Sequence, residues 1–473
     1  LRFRLKLAAA LLSFLCSYSA VAQSNTIPPD RLNKYSDLAV QWLQEYLRVD
    51  TTNPPGNEAQ AAAFFKKILD EEGIENQVFE FDPAHHRANI LARLHGSGAK
   101  RPLILLNHMD VVTSDASRWA VPPFSGQILN GAIYGRGAQD MKAEGLAQLV
   151  VMVMLKREKI ALDRDVIFLG TSDEEVDGSG TDWVITNKRD LLGDPEYLLT
   201  EGGYNLLEKN KVKYVALDVA EKATFWLRVK ARGKPGHGSE PLVDSAPDRL
   251  VRALAKIINY QSELKLTPVV EEYLRVMAPY QTPERARIYR NIRALIKDPA
   301  FRAHLKSDEL NPKLRNTISL TRLSGSPQTN VIPGEATANL DVRLLPGEDP
   351  QVFLAELNRL IADSNVTIEP ESPIKDFRIA NSSPTDSELY GVIRKVAGKY
   401  FPGTPVVPSL TSGYTENQRY RSLGIVSYGF SPYAATEEES TTEHGDNERI
   451  RVEEVRRGPR ILYDVVVGIS AAH

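Results

Sequence analysis

The feature that most narrows the fold is a pair of short, uninterrupted apolar runs, Leu103-Ile104-Leu105-Leu106 and Val166-Ile167-Phe168-Leu169, with an apolar segment of helical length, Ala143 to Lys156, between them. A run bounded by polar clusters and lacking a polar face reads as a strand buried on both sides, as in a parallel sheet covered by helices. Upstream, apolar residues recur at helical spacing from Tyr35 to Leu47 and stop at Thr51-Thr52-Asn53-Pro54-Pro55-Gly56. A second helix, Ala59 to Glu72, is closed by Gly73, and Gln77 to Phe81 and Asn89 to Leu94 read as short strands. This alternation predicts an α/β domain with a mostly parallel sheet flanked by helices.

Near Lys222 the pattern changes. Phe225, Leu227 and Val229 alternate with polar residues, the signature of an antiparallel strand with one wet face, and a helix follows from Asp244 to Tyr260. Strands return at Asn316 to Leu323, Glu335 to Leu344 and Val366 to Ile368, with a helix from Pro350 to Ile361. Together they predict a two-layer α+β module, residues 218–373, inserted into a discontinuous first domain formed by 23–217 and 374–473. The polar helical stretch 265–313 is assigned to the inserted module. After Pro373 a helix from Ser387 to Lys399 and a strand from Ile425 to Tyr428 resume the earlier style.

Lys and Arg number 58 against 61 Asp and Glu, a net charge of −3, so there is no cationic field for nucleic acid. Arg2, Arg4 and Lys6 precede an apolar run, Leu7 to Leu15, and then Ala20-Val21-Ala22, which together read as a signal peptide over 1–22. The run is shorter than the ~20 residues of a spanning helix, and Leu15 is too large for a lipoprotein site at Cys16. Cleavage would remove three cations, moving the net charge from −3 to −6, and the single cysteine. The expected product is periplasmic or secreted, has no stable membrane span, and must hold any metal through oxygen and imidazole.

In doubly wound sheets functional groups collect beyond the carboxyl ends of strands. His108-Met109-Asp110 follows the first apolar run, Asp173-Glu174-Glu175 the second, and Glu201-Gly202-Gly203 follows Tyr197-Leu198-Leu199. Gly135-Arg136-Gly137-Ala138-Gln139-Asp140 and Glu443-His444-Gly445 complete the set. A catalytic zinc takes three ligands from His, Asp and Glu and keeps a position for water. Any one such cluster is equally a solvated loop; five of them, two containing His from a chain with only eight, are a stronger signal.

In this order, from about residue 35 to the C-terminus, His108-x-Asp110, Gly135-Arg-Gly-x-x-Asp140-x-Lys142, Thr171-Ser-Asp-Glu174-Glu175, Glu201-Gly-Gly and His444-Gly resemble the motifs of the M20 metallopeptidase family. The resemblance implies two Zn2+ ions per chain, with Co2+ or Mn2+ as possible substitutes. It makes Asp140 the bridge, His108 and Glu201 the remaining ligands of one metal, and Glu175 and His444 those of the other. Glu174 becomes the general base, and Asp110 accepts a hydrogen bond from the His108 ring. His237, in Gly236-His237-Gly238, is implied to stabilise the oxyanion, often in the neighbouring subunit's site, which makes a homodimer the expected unit. Asn330, Arg343 and Gly413 match substrate-binding positions. Arg343 suits a planar carboxylate, though a strand ion pair would equally account for it.

The expectation is an exported di-zinc hydrolase that cleaves the amide bond of dipeptides or N-acyl amino acids with a free carboxylate. Glu201 and the 265–313 stretch look closest to the aminoacylase-1 and carboxypeptidase S branch, rather than to succinyl-diaminopimelate desuccinylase. A noncatalytic peptide-binding protein would be expected to have lost a ligand or the base, and all six residues are present. A serine hydrolase would need a Gly-x-Ser-x-Gly elbow, which is missing.

Overall fold

The computed structural model describes residues 26–305, 309–374 and 377–472; the expected signal peptide lies outside them. Both apolar runs are strands. Leu103–His108 and Val166–Thr171 are buried at every position and pair in parallel. Tyr197–Thr200 joins the other edge of Leu103–His108 in parallel, and Val426–Gly429 pairs in parallel with Tyr197–Thr200. These four form the centre of a ten-stranded sheet. Its flanks are antiparallel where Arg87–Leu94 meets Val166–Thr171 and where Lys211–Glu221 meets Val426–Gly429, so the sheet is mixed around a parallel middle.

The helix Lys142–Arg157 is buried almost all round because it lies between the sheet and two other helices, Pro29–Leu47 and Val452–Ser470. Its continuous apolar composition has the same origin as that of the strands: no side of it meets water. Val452–Ser470 is a long element that the apolar pattern of the sequence did not mark, and Pro459 lies inside it.

A second, five-stranded sheet begins just past Lys222. Its strands Glu335–Leu344, Leu227–Arg232, Val366–Pro370 and Thr317–Ser324 are all antiparallel. Glu335–Leu344 alternates buried and less buried residues along its length, which leaves one face for the helices Ala246–Asn259 and Pro350–Ile361 to cover. Leu227, Val229, Leu340, Leu254 and Phe353 are buried in this second core.

One expectation is corrected here. The helical stretch 265–313 does not pack on the second sheet. Val270, Leu274 and Met277 of the helix Pro268–Met277, with Ile292, Leu310 and Leu314 further on, are buried in the first core, and Pro268–Met277 packs against the strand Val406–Thr411. The apolar stripe at helical spacing indicates that this helix is amphipathic but not which sheet it faces, and that was the missing information.

Candidate metal centre

His108 ends its strand with its side chain fully buried. Nδ1 lies 3.1 Å from the backbone carbonyl oxygen of Asp110, which can only accept, so Nδ1 carries a proton there and Nε2 is the nitrogen turned toward the acidic cluster. That Nε2 is 2.9 Å from Asp140 Oδ1 and 3.4 Å from Glu201 Oε2. On the other side of Asp140, Oδ2 is 2.8 Å from His444 Nε2, which is 3.3 Å from Glu175 Oε2. Two groups of possible ligands result, His108, Asp140 and Glu201, and Asp140, Glu175 and His444, with the two Asp140 oxygens divided between them.

The donor set suits hard or borderline divalent cations. Glu175 Oε1 is buried without a hydrogen-bond partner, an orphan that a cation would satisfy. Burial pushes Glu201 up to about 8, with repulsion from Asp140 adding to it and the His108 ring opposing. Burial and the charge of Glu201 likewise raise Glu174 well above the usual carboxylate range. Such an excess of negative charge is what bound metal would relieve.

The position of Asp110 differs from expectation. Its carboxylate Oδ1 is 3.6 Å from His108 Nδ1, farther than its own carbonyl. Instead, Oδ1 accepts from the Glu174 amide at 3.1 Å, and Oδ2 accepts from the Glu175 amide at 3.1 Å and from Asn53 Nδ2 at 2.8 Å. Asp110 therefore holds the turn that carries both glutamates. Asp173, which begins that turn, has φ +67, a left-handed conformation that Asp tolerates better than most residues. Its carboxylate is fixed by Arg87 at 2.5 Å and Ser179 at 2.5 Å.

Glu448 fixes the Asp140 loop. Its oxygens accept from the amides of Gly137 at 2.9 Å, Gln139 at 2.7 Å and Asp140 at 3.2 Å. Gly137 has φ +87, and a Cβ there would meet Val111 Cγ1 at 2.6 Å, so the loop requires glycine. The same holds at Gly203, where φ is +77 and a Cβ would lie 2.6 Å from the Ala216 carbonyl.

Asp140, Glu174, Glu175, Glu201 and His444 line a cavity of about 1390 Å³ between the two sheets, with Arg343 and Gly413 also on its wall. Arg343 contacts Asp341 on its own strand, Nε to Oδ1 2.7 Å and Nη2 to Oδ2 3.1 Å, and donates from Nη1 to Thr224. Its fork is thus occupied by the strand ion pair that the sequence left open. A Cβ at Gly413 would meet only Thr411 Cγ2, at 3.7 Å, so crowding within the chain does not require glycine there.

His237 and Asn330 are not among the cavity-lining residues. Both are exposed, on adjacent segments where Gly236–His237 pairs with Val331–Ile332 and the Gly238 amide donates to the Asn330 carbonyl. His237 Nδ1 accepts from the Ser239 amide at 3.2 Å. Among the cavity residues that the sequence did not mark are Glu144, almost fully buried on the first turn of its helix, and Lys313. Glu144 lies in the first turn of the helix Lys142–Arg157, which Asp140 precedes, so helical spacing marked neither it nor Lys313.

Fold and site together define a metal-dependent hydrolase of the α/β type with a second antiparallel sheet beside the cavity. The sequence profile of peptidase family M20/M25/M40 matches residues 104–467, and the chain belongs to that family. Aminoacylase-1 of Mus musculus is 27% identical over 440 residues, covering 92% of this chain and 95% of its own. The crystal structure of the M20 family metallo-carboxypeptidase Sso-CP2 from Sulfolobus solfataricus superimposes with a TM-score of 0.69 at 20% identity, over 90% of this chain and 98% of that one. Human carnosine dipeptidase 1 superimposes with a TM-score of 0.68 at 16% identity, over 93% and 98%. These two likenesses show the shared fold. No helix among the described residues is long and apolar enough to cross a membrane.

Proposed function

We propose that this protein is an exported di-zinc amidohydrolase acting on dipeptides or N-acyl amino acids that carry a free carboxylate. The observation that carries this reading is Asp140, whose two oxygens face two separate His and carboxylate groups beside Glu174 on one cavity wall. His108 and Glu201 would hold one ion with Asp140, and Glu175 and His444 the other. When bound, the pair would polarise the scissile carbonyl and acidify the attacking water.

Glu174 is the base. Its carboxyl lines the cavity and belongs to neither ligand group. It takes the proton released as water oxygen bonds to the carbonyl carbon, and delivers it to the nitrogen as the C–N bond breaks. Asp110 sets the position of Glu174 through the backbone amide. Val176 and Trp226, each 47% exposed, give the cavity wall apolar surface for an acyl group or side chain.

The kinship with aminoacylase-1 and the folds of a carboxypeptidase and a dipeptidase support this substrate class. His237 would complete the site of a second copy, since it is exposed and does not line the cavity of its own chain. The basic, apolar and Ala-x-Ala segments of residues 1–22 support export. The test is hydrolysis of a panel of N-acyl amino acids and dipeptides by protein carrying two equivalents of zinc. Turnover of either class that disappears on chelation is expected; no turnover of either class by loaded protein would refute the reading.

A further inference from the structure

The cavity wall carries cations of two kinds. Its guanidinium groups all face carboxylates: Arg343 pairs with Asp341, Arg378 and Arg419 share Asp182, Arg449 pairs with Glu438 and Arg451 with Glu439. Lys313 does not. Among the described residues no carboxylate pairs with it; its Nζ donates to the Leu410 carbonyl at 3.3 Å and lies 5.6 Å from the centre of the Tyr273 ring. Asp218 and Glu309, whose charges reach it, are engaged elsewhere: Asp218 by the Gly203 amide at 3.0 Å and by the Thr411 hydroxyl, Glu309 by Arg285 at 2.6 Å.

An ammonium group in a partly dry wall, with one carbonyl and an aromatic face as neighbours, retains donors for an anion. Burial lowers the Lys313 pKa, the direction expected of a cation short of counter-charge. The surroundings favour an organic anion. Tyr214 and Tyr273 line the same wall, and neither phenol hydroxyl makes a hydrogen bond within the described chain, so both can donate to a carboxylate oxygen. The metal-side wall, by contrast, carries the carboxyl groups of Asp140, Glu175 and Glu201, which the proposed ions would occupy, with Glu144 and Glu174, and these supply no ammonium group for a substrate carboxylate. A substrate with one negative end has a single sense in which to lie between these walls.

We infer that Lys313, on the helical segment that packs against the first core, is the specificity-determining residue that binds the free carboxylate of the substrate, a role the sequence had suggested for Arg343. The inference rests on the proposed hydrolysis of carboxylate-bearing amides, and it makes the 265–313 stretch part of the substrate site.

The test compares one N-acyl amino acid with its carboxamide, same acyl group and side chain, on zinc-loaded wild type, Lys313→Met and Lys313→Arg. Loss of a desolvated charge pair should raise KM of Lys313→Met for the carboxylate by about 30-fold or more, the factor that about 2 kcal/mol becomes at about 1.4 kcal/mol per decade. The carboxamide KM should stay as in wild type, kcat should change little, and Lys313→Arg should recover most of the carboxylate preference. Equal loss on both substrates, with a lowered melting temperature, would show that Lys313 only docks its helix and would overturn the inference. An unchanged carboxylate KM in Lys313→Met would overturn it as well. If Lys313→Met does not fold, Lys313→Arg and Lys313→Gln decide by the same carboxylate-to-carboxamide ratio. Wild type that turns over neither compound, nor any other member of the panel, would remove the hydrolase reading itself. Wild type that turns over both, with a ratio no substitution moves, would remove only the assignment of Lys313.

Discussion

Arg136 and Glu448 stand 312 positions apart in the chain and meet in a buried ion pair, Nη1 to Oε2 2.6 Å, with side chains 2% and 1% exposed. Glu448 also accepts from three amides of the Asp140 loop, and Arg136 donates to the Gly445 carbonyl at 2.9 Å, beside His444. The pair thus ties together the two loops that supply Asp140 and His444.

Removing one partner of such a pair leaves a buried charge uncompensated, which costs about 3–5 kcal/mol. Arg136→Met should therefore lower the melting temperature and weaken metal retention together. The double replacement Arg136→Met with Glu448→Met should lose less than the sum of the two single losses. Thermal melting and metal content after gel filtration read both effects; strict additivity would argue against the coupling.

Asp110 gives a narrower prediction. Both its oxygens accept from N–H donors, the amides of Glu174 and Glu175 and Asn53 Nδ2. In Asp110→Asn one acceptor becomes an NH2 group that faces a donor whichever way the amide is turned. The turn carrying Glu175 should shift, with metal affinity falling about 10–100-fold, as for other residues that support ligands from behind. Titration against a competing chelator measures this, and wild-type affinity would show that the turn holds without the carboxylate.

The parallel centre of the sheet was legible because Leu103–His108 and Val166–Thr171 have no wet face, and their composition records that. Position at strand ends and in glycine-rich loops marked the polar clusters as candidates, while the division of their residues between two metals came from the family resemblance. What the sequence did not show was pairing between distant residues. Glu448 was visible as one acid among several, but only the fold puts it under the amides of Gly137 and Asp140. Arg343 reads equally as a carboxylate receptor or a strand ion pair, and only the fold shows its fork turned to Asp341, two residues away. Lys313 gave no signal at all, because a lysine in a polar helical stretch looks the same whether it faces water or a cavity.

Glu58 predicts a pH dependence. It is buried, its Oε2 has no partner, and burial, with Asp110 as the next cause, pushes its pKa from 4.5 up to about 8. The folded state therefore holds a proton that the unfolded chain releases. Stability from this group is fully present below about pH 4.5, declines as pH rises, and is lost through about pH 8. Glu58→Gln cannot ionise, so it should raise the melting temperature of chelated protein by a few degrees at pH 8.5 and change it little at pH 5. Equal effects at the two pH values would mean that Glu58 is not the titrating group.

His237 leads to a prediction about assembly. It is exposed and outside the cavity of its own chain, and the catalytic role proposed for it would require a second copy that brings it to the partner's cavity. His237→Ala and Glu174→Gln should each be nearly inactive alone, while Glu174→Gln keeps its metal because it removes no ligand. In a mixed dimer, the site in the His237→Ala chain retains its own Glu174 and receives an intact His237 from the other copy. Its companion site has lost both. Random mixing makes half of the dimers mixed, each with one working site of two, so activity should return to about a quarter of wild type. The experiment needs only the two inactive proteins, unfolded and refolded together, with separately refolded samples as controls. If His237 served its own chain, each mixed dimer would hold two damaged sites, and mixing would restore nothing.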